Sequence, residues 1–112
     1  MIPTISSELS HKMFKVLSRD DTNAIFRIRF GAIPTEMTIQ LFRLDVGRFE
    51  MKTSHAIQTE LQAKPYWVHH RVYDSPGDAL RDFRSAFSQF YRAAQRKGYE
   101  PKESWFVAKT RQ

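Results

Sequence analysis

A long amphipathic segment between Ser75 and Gly98 constrains the fold of this chain more than any other feature. Ser75 suits a helix N-cap, Pro76 the first helical position, and Asp78 stands three residues after the cap. Gly98 is typical of a left-handed helix end, so we expect one helix that runs to about Lys97. Its apolar residues recur at helical spacing and form one face, which we assign to the core: Leu80, Phe83, Phe87, Phe90, Tyr91 and Ala94.

The opposite face of this helix carries four arginines, Arg81, Arg84, Arg92 and Arg96. After Asp82 no further acidic residue occurs up to Lys97, whereas a face that serves only solubility usually mixes both signs. Arginine interspersed with serine and glutamine suits phosphate binding, because its planar fork contacts phosphate oxygens and the small polar groups position the ligand. The alternative is an ordinary solvated helix surface.

Alternation with a period of two predicts strands in the middle of the chain. Ala24–Phe30 and Met37–Leu44 are the first two, and Asp45–Arg48 is typical of a hairpin turn that leads into a strand from Phe49. Tyr66–Tyr73, rich in aromatic and β-branched residues, predicts another strand.

Three further segments complete the expected architecture. Ser6–Leu17 predicts a helix capped by Ser6 or Ser7, because Leu9, Met13, Val16 and Leu17 share a helical face. Ser54–Lys64 either extends a strand through Ile57 or forms a loop, and Ser104–Ala108 is a final strand or an extended arm. The chain is therefore expected to be a single α+β domain over residues 1–112. It would have a short N-terminal helix and an antiparallel sheet of three to four strands, with the long helix packed on one face.

The charge balance restricts the partners. Lys and Arg number 18 against 12 acidic residues, giving a net charge of +6, which favours nucleic acid or an acidic protein surface. Cysteine is absent, which removes disulfides and thiolate chemistry. No apolar run approaches the roughly 20 residues of a membrane span. The first residues do not resemble a signal peptide, so we expect a cytoplasmic protein that binds no membrane.

A second binding surface is predicted on the Tyr66–Tyr73 strand. Alternation places Trp67, His69, Arg71 and Tyr73 on one face, where they would form an aromatic and basic platform for bases or for an acidic protein. The alternative is a strand covered on both faces, in which these aromatic rings are packing.

Arg27 and Arg29 define a third candidate surface. Both alternate with apolar residues on the first predicted strand, and with Arg43, Arg48 and Lys52 they would make an open sheet face positive. The alternative is an edge strand that is guarded by charge against aggregation.

The sequence contains no motif typical of a catalytic site and no residue spacing typical of a metal site. Adjacent strand residues such as His69 and His70 point to opposite faces, and His11 and His55 lack ligand spacing, so neither a metal nor another cofactor is expected. No phosphate-binding loop or nucleophile elbow occurs, and no catalytic residue is assigned. A small metal-independent ribonuclease using His55, His69 or His70 stays an alternative, because general acid–base chemistry needs no motif.

Residues 37–100 resemble the WGR domain, a nucleic-acid-binding module with antiparallel strands followed by an acid-capped helix. The matching stretch begins at Asp74 and Ser75 and ends at Lys97-Gly98-Tyr99, while the signature tripeptide is absent after Trp67. The element order also resembles the double-stranded RNA-binding domain. That family's helix begins with lysines, where this chain has Asp78 and Asp82 instead.

These observations favour a small basic, non-enzymatic module that binds nucleic acid or associates with nucleoprotein. The first alternative is an inhibitor or adaptor that binds an acidic protein, or the nucleic-acid groove of an enzyme, with Phe42 or Trp67 as anchors. A second copy of the chain, paired through an exposed strand edge, is a further candidate partner.

Overall fold

The computed structural model describes residues 4–68 and 72–109. Over these residues, two α-helices and seven strands form an α+β arrangement, which confirms the expected fold class. Their bounds are α1 Ile5–Leu9, β1 Phe14–Asp20, β2 Ile25–Phe30, β3 Ile33–Asp45, β4 Arg48–Thr53, β5 His55–Ile57, β6 Val72–Tyr73, α2 Pro76–Arg96 and β7 Phe106–Ala108.

The N-terminal helix is shorter than expected, and the prediction of a helix to Leu17 is wrong. α1 ends at Leu9, and Thr4 rather than Ser6 or Ser7 caps it. Phe14 opens β1, where its ring meets the Phe30 ring at a centroid distance of 5.8 Å. Pairing with β2 and burial of this ring outweigh the helical spacing of a few apolar residues.

The main sheet is antiparallel with the strand order β1-β2-β3-β4-β6. The first four strands form a meander, in which each strand pairs with its neighbour in sequence. β2, β3 and β4 lie where the alternation predicts strands, and β3 begins four residues earlier, at Ile33. Apolar residues of β2 and β3 line one face and are almost fully buried, as Phe26, Ile28 and Ile39 show.

α2 covers this apolar face, as its sequence predicts. Its Phe83 and Phe87 rings are fully buried and stack at 4.2 Å, and Phe30 of the sheet meets Phe87 edge-on at 5.9 Å. Each buried ring contributes roughly 1.5–3 kcal/mol relative to exposure. The buried rings of Phe83 and Phe87 therefore fix the position of α2 on the sheet, and the polar side of the helix faces solvent.

The ends of α2 follow the expected capping chemistry. The Ser75 Oγ accepts a hydrogen bond from the Asp78 backbone N–H at 3.1 Å, and Pro76 is the first helical residue. Lys97 is the C-cap, and Gly98 has a φ of +92°, which favours glycine.

A small second sheet closes one end of the core. β5 pairs with β7, so both segments that the sequence leaves open contain short strands, and a 3₁₀ helix over Glu103–Trp105 precedes β7. Trp105 is 1% exposed, meets the Tyr91 ring at 5.4 Å, and donates its indole N–H to Glu60 at 2.8 Å.

Candidate functional site

The outward side of α2, which the structure describes throughout, has an unusual composition. Every exposed residue of this helix is Arg, Ser or Gln, and none is acidic or aromatic. These residues, which we call the polar stripe, are Arg81, Ser85, Gln89, Arg92, Gln95 and Arg96. The stripe has the hydrogen-bonding groups and the charge that anionic ligands require.

The four arginines predicted for this face differ in their surroundings. Arg84 is half-buried beside the stripe, and its Nε donates to Glu8 of α1 at 3.1 Å, which neutralises its charge. Arg81 is exposed and lies 3.3 Å from Asp78. Among the residues that the structure describes, no carboxylate is within ion-pair distance of Arg92 or Arg96. The uncompensated charge therefore lies on the C-terminal half of α2.

The turn after α1 adds to this positive region. Burial lowers the pKa of His11, and the positive charges of Arg84, Lys12 and Arg92 lower it further against the opposing effect of Glu8. Lys12 is exposed at this turn. Sequence reasoning misses Lys12 because it assigns the residue to a continuous helix, and the charges that act on His11 reveal that the turn and α2 are neighbours.

The opposite end of α2 is mixed in charge. An open cavity beside its first turns is lined by Asp74, Asp78 and Asp82 together with Arg81 and Arg84. The Tyr73 hydroxyl donates to Asp82 at 2.6 Å, and the Ser75 hydroxyl donates to Asp78 at 3.0 Å. These carboxylates reduce the positive potential at this end of the helix.

The described residues of Tyr66–Tyr73 depart in part from the expected strand. Among the described residues of this segment, Val72–Tyr73 form a strand, and Tyr66 forms an isolated bridge with Ile57 instead of pairing along β4. Tyr73 is buried at 9% exposure, whereas Val72, which alternation places on the opposite side, is 49% exposed. Tyr73 is therefore not available as an exposed platform residue, and at this position the structure agrees with the alternative in which the aromatic ring is packing.

Aromatic packing explains the departure of this segment from a regular strand. The Tyr66 ring lies 5.2 Å from Phe90 of α2, so contact with the helix replaces pairing in the sheet. Trp67 is half-buried and lies outside any strand. The other two predicted platform residues, His69 and Arg71, lie outside the described residues.

Arg27 and Arg29 lie on the open face of the main sheet, as alternation predicts. Arg27 pairs with Glu36 of β3, and Arg29 is half-buried with its Nε lacking a hydrogen-bond partner among the described residues. Lys52 of β4 lies over the Phe42 ring, with its Nζ 5.1 Å from the ring centroid. The sheet surface mixes both signs, so its positive charge is more fully compensated than that of the C-terminal half of α2.

The described histidines, His11 and His55, belong to no metal-binding cluster. No cluster of three or more His, Cys, Asp or Glu suited to a metal occurs in residues 4–68 and 72–109. Burial lowers the pKa of His55, whose Nδ1 lies 2.7 Å from the Ser54 Oγ. That oxygen also accepts the Thr38 backbone N–H at 2.8 Å, so the pair ties the bend between β4 and β5 to β3.

Comparisons with known proteins identify no relative. No protein-family model matches the chain, and neither a curated protein nor a solved structure matches it significantly. The resemblance to the WGR domain stays a prediction. In the part of the chain that the structure describes, no helix has the length and hydrophobicity needed to cross a membrane.

Proposed function

We propose that the protein is a non-enzymatic module that binds nucleic acid through the polar stripe of α2. The observation that carries this proposal is the composition of that surface, in which every exposed residue of a 21-residue helix is Arg, Ser or Gln. Solvated helix surfaces commonly carry pairs of opposite charge three or four residues apart, whereas in α2 one such pair occurs, Asp78 with Arg81 in the first turns, and none occurs in the C-terminal half. A surface restricted to these residue types suits contacts to phosphates and bases.

Arg92 and Arg96 are the central phosphate contacts in this proposal. Both are exposed, and no described carboxylate neutralises them, so their charge is available to a ligand. Lys97 at the helix end and Lys12 on the turn after α1 are exposed as well and enlarge the positive region. Each phosphate neutralised by a protein cation releases counterions, which makes binding strongly dependent on salt.

The test is a fluorescence-anisotropy titration of labelled DNA and RNA with the wild type and with an Arg92→Ala/Arg96→Ala variant. We expect the double variant to bind more weakly, and its plot of log affinity against log salt to be shallower by about two units. An Arg27→Ala/Arg48→Ala variant loses the same charge elsewhere, but both arginines are already paired, with Glu36 and Asp45.

This control should bind nearly as well as the wild type. If it loses as much affinity as the Arg92/Arg96 variant, the stripe is not the contact surface. If the wild type binds neither DNA nor RNA below about 100 µM at low salt, the proposed function is wrong, because nonspecific nucleic-acid binding by basic proteins lies in or below this range.

The second candidate is an adaptor that binds a protein through the end of the β3–β4 hairpin. Leu44 and Val46 are 48% and 86% exposed there, and Arg43 beside them is exposed too. Exposed aliphatic side chains with a neighbouring arginine suit an acidic protein surface. A Leu44→Ser/Val46→Ser variant that loses a co-purifying acidic protein yet keeps its nucleic-acid affinity would support this role.

A further inference from the structure

The polar stripe has a regular shape that restricts the kind of nucleic acid it fits. Five of its six residues follow one another at intervals of four, four, three and four, which keeps them on one line along the helix: Arg81, Ser85, Gln89, Arg92 and Arg96. With a rise of about 1.5 Å per residue, this line is about 22 Å long. We call this line of five residues the ridge. It lies on the convex outer surface of a helix and does not form a concave channel.

The ridge carries no aromatic ring along its length. The rings of α2 face inward: Phe83 and Phe87 are fully buried, Tyr91 is 4% exposed, and Phe90 packs against Tyr66. Proteins that hold single strands stack successive bases on several exposed aromatic side chains. Tyr99, 40% exposed beyond the helix end, offers one ring, which is too few for such a platform. The ridge is therefore poorly suited to unpaired bases.

An α-helix about 10–12 Å across fits the major groove of B-form DNA, which is about 12 Å wide. In that groove Arg donates to guanine, Gln forms paired hydrogen bonds with adenine, and Ser can contact several base edges. The deep, narrow major groove of A-form RNA does not admit them. We propose, as a refinement of the nucleic-acid function above and resting on it, that the ligand is double-stranded DNA with α2 lying in its major groove.

Charge sets the orientation of the helix in this complex. Asp74, Asp78 and Asp82 surround the N-terminal turns, whereas no acidic residue occurs from Ser85 to Lys97. The C-terminal half of α2 therefore lies closest to the phosphates. The helix dipole places partial negative charge at this end, and Arg96 and Lys97 offset it. Gln89, midway along the ridge and exposed, is placed to reach base edges.

The test compares duplex DNA, the corresponding single strand and duplex RNA of the same length by anisotropy. Duplex DNA should bind at least about tenfold more tightly than either of the others. Dimethyl sulfate probing adds a groove-specific readout, since guanine N7 lies in the major groove and adenine N3 in the minor groove. We expect protection of guanine N7, with adenine N3 still reactive.

A charge-neutral variant tests the groove contact itself. Gln89→Ala should weaken duplex binding about threefold or more without changing the salt slope, because it removes a base contact and no phosphate contact. Gln40→Ala, on the sheet, is the matched control and should have no effect. Preference for single strands, or protection of adenine N3 alone, would overturn the duplex proposal but leave nucleic-acid binding intact. Absence of binding to all three ligands would overturn both.

Discussion

Arg84 and Glu8 join the two helices of the protein through a hydrogen bond of 3.1 Å between the arginine Nε and the glutamate Oε1. The two residues are 76 positions apart in sequence. Their side chains are only 22% and 11% exposed, so the pair is partly shielded from water. It anchors α1 to the flank of the polar stripe and removes one positive charge from that region.

Replacing this glutamate should change stability and binding in opposite directions. Glu8→Gln leaves the Arg84 guanidinium without its anionic partner, so we expect the free energy of unfolding to fall by about 1–3 kcal/mol in urea titrations. The uncovered charge should increase the affinity for nucleic acid. Asp45→Asn breaks the exposed pair with Arg48 and should lower stability by less than about 1 kcal/mol. Equal losses in the two variants would contradict the shielded role of Glu8.

The N-cap of α2 provides a second prediction. Ser75→Ala removes the acceptor of the Asp78 backbone N–H and should lower the free energy of unfolding by about 1 kcal/mol, measured by urea denaturation. Ser75→Asp retains an acceptor and should stay close to the wild type. A destabilised Ser75→Asp variant together with an unchanged Ser75→Ala variant would show that capping is not the role of this side chain.

Gly31 should tolerate alanine poorly, because two effects coincide there. Its φ is +61°, and a Cβ at this position would lie 2.6 Å from the Tyr91 ring, so Gly31→Ala should cost about 2–4 kcal/mol. Gly47 has a φ of +74°, but a Cβ added there would meet no heavy atom within 4 Å, and Gly47→Ala should cost about 1–2 kcal/mol from backbone strain alone. Similar thermal shifts for the two variants would contradict the close approach of Tyr91.

The Tyr91 hydroxyl also contacts the turn that contains Gly31, and it can be removed without removing the ring. It accepts the Ala32 backbone N–H at 2.9 Å, so Tyr91→Phe should lower the free energy of unfolding by about 1 kcal/mol in urea titrations. Binding of nucleic acid should not change, because Tyr91 faces the core. A loss of affinity in this variant, at unchanged stability, would contradict that placement.

Acidification should destabilise the protein through His55. Burial lowers the pKa of this imidazole, so the unfolded state binds its proton more readily than the folded state. The stabilisation is complete above the unfolded pKa of about 6.5 and is lost as the pH falls through the lower folded pKa. We expect the melting temperature to fall as the pH drops below about 6.5, and to fall less in His55→Gln. An equal decline in both proteins would assign the effect to other groups.

The parts of the fold that sequence reasoning predicts are those with local signals. α2 has a cap, an aromatic stripe and a terminal glycine, and β2 alternates without interruption, so both lie close to their expected bounds. β1 and the Trp67 region depart from expectation because their conformations depend on distant partners. Phe14 lies in a strand because its ring packs on Phe30, and Tyr66 lies outside the main sheet because its ring contacts Phe90.

In the candidate site, too, some residues follow from spacing in the sequence, whereas others depend on contacts with distant residues. Helical periodicity places Arg92 and Arg96 on the outer face, because that face depends only on spacing. The state of Arg84 depends on Glu8, and the contribution of Lys12 depends on a turn that brings it beside α2, so no local pattern could reveal either.

α2 covers the meander but follows it in sequence. The sheet is therefore synthesised before the helix that buries its apolar face. A ribosome completes β1–β4 at Thr53 and must add about 40 more residues before α2 is finished at Arg96. At about 5–20 residues per second, the apolar face with Phe26 and Ile39 stays uncovered for about 2–9 seconds. During this interval the apolar face of the sheet is exposed, so we expect the nascent chain to be most prone to aggregation before α2 is complete.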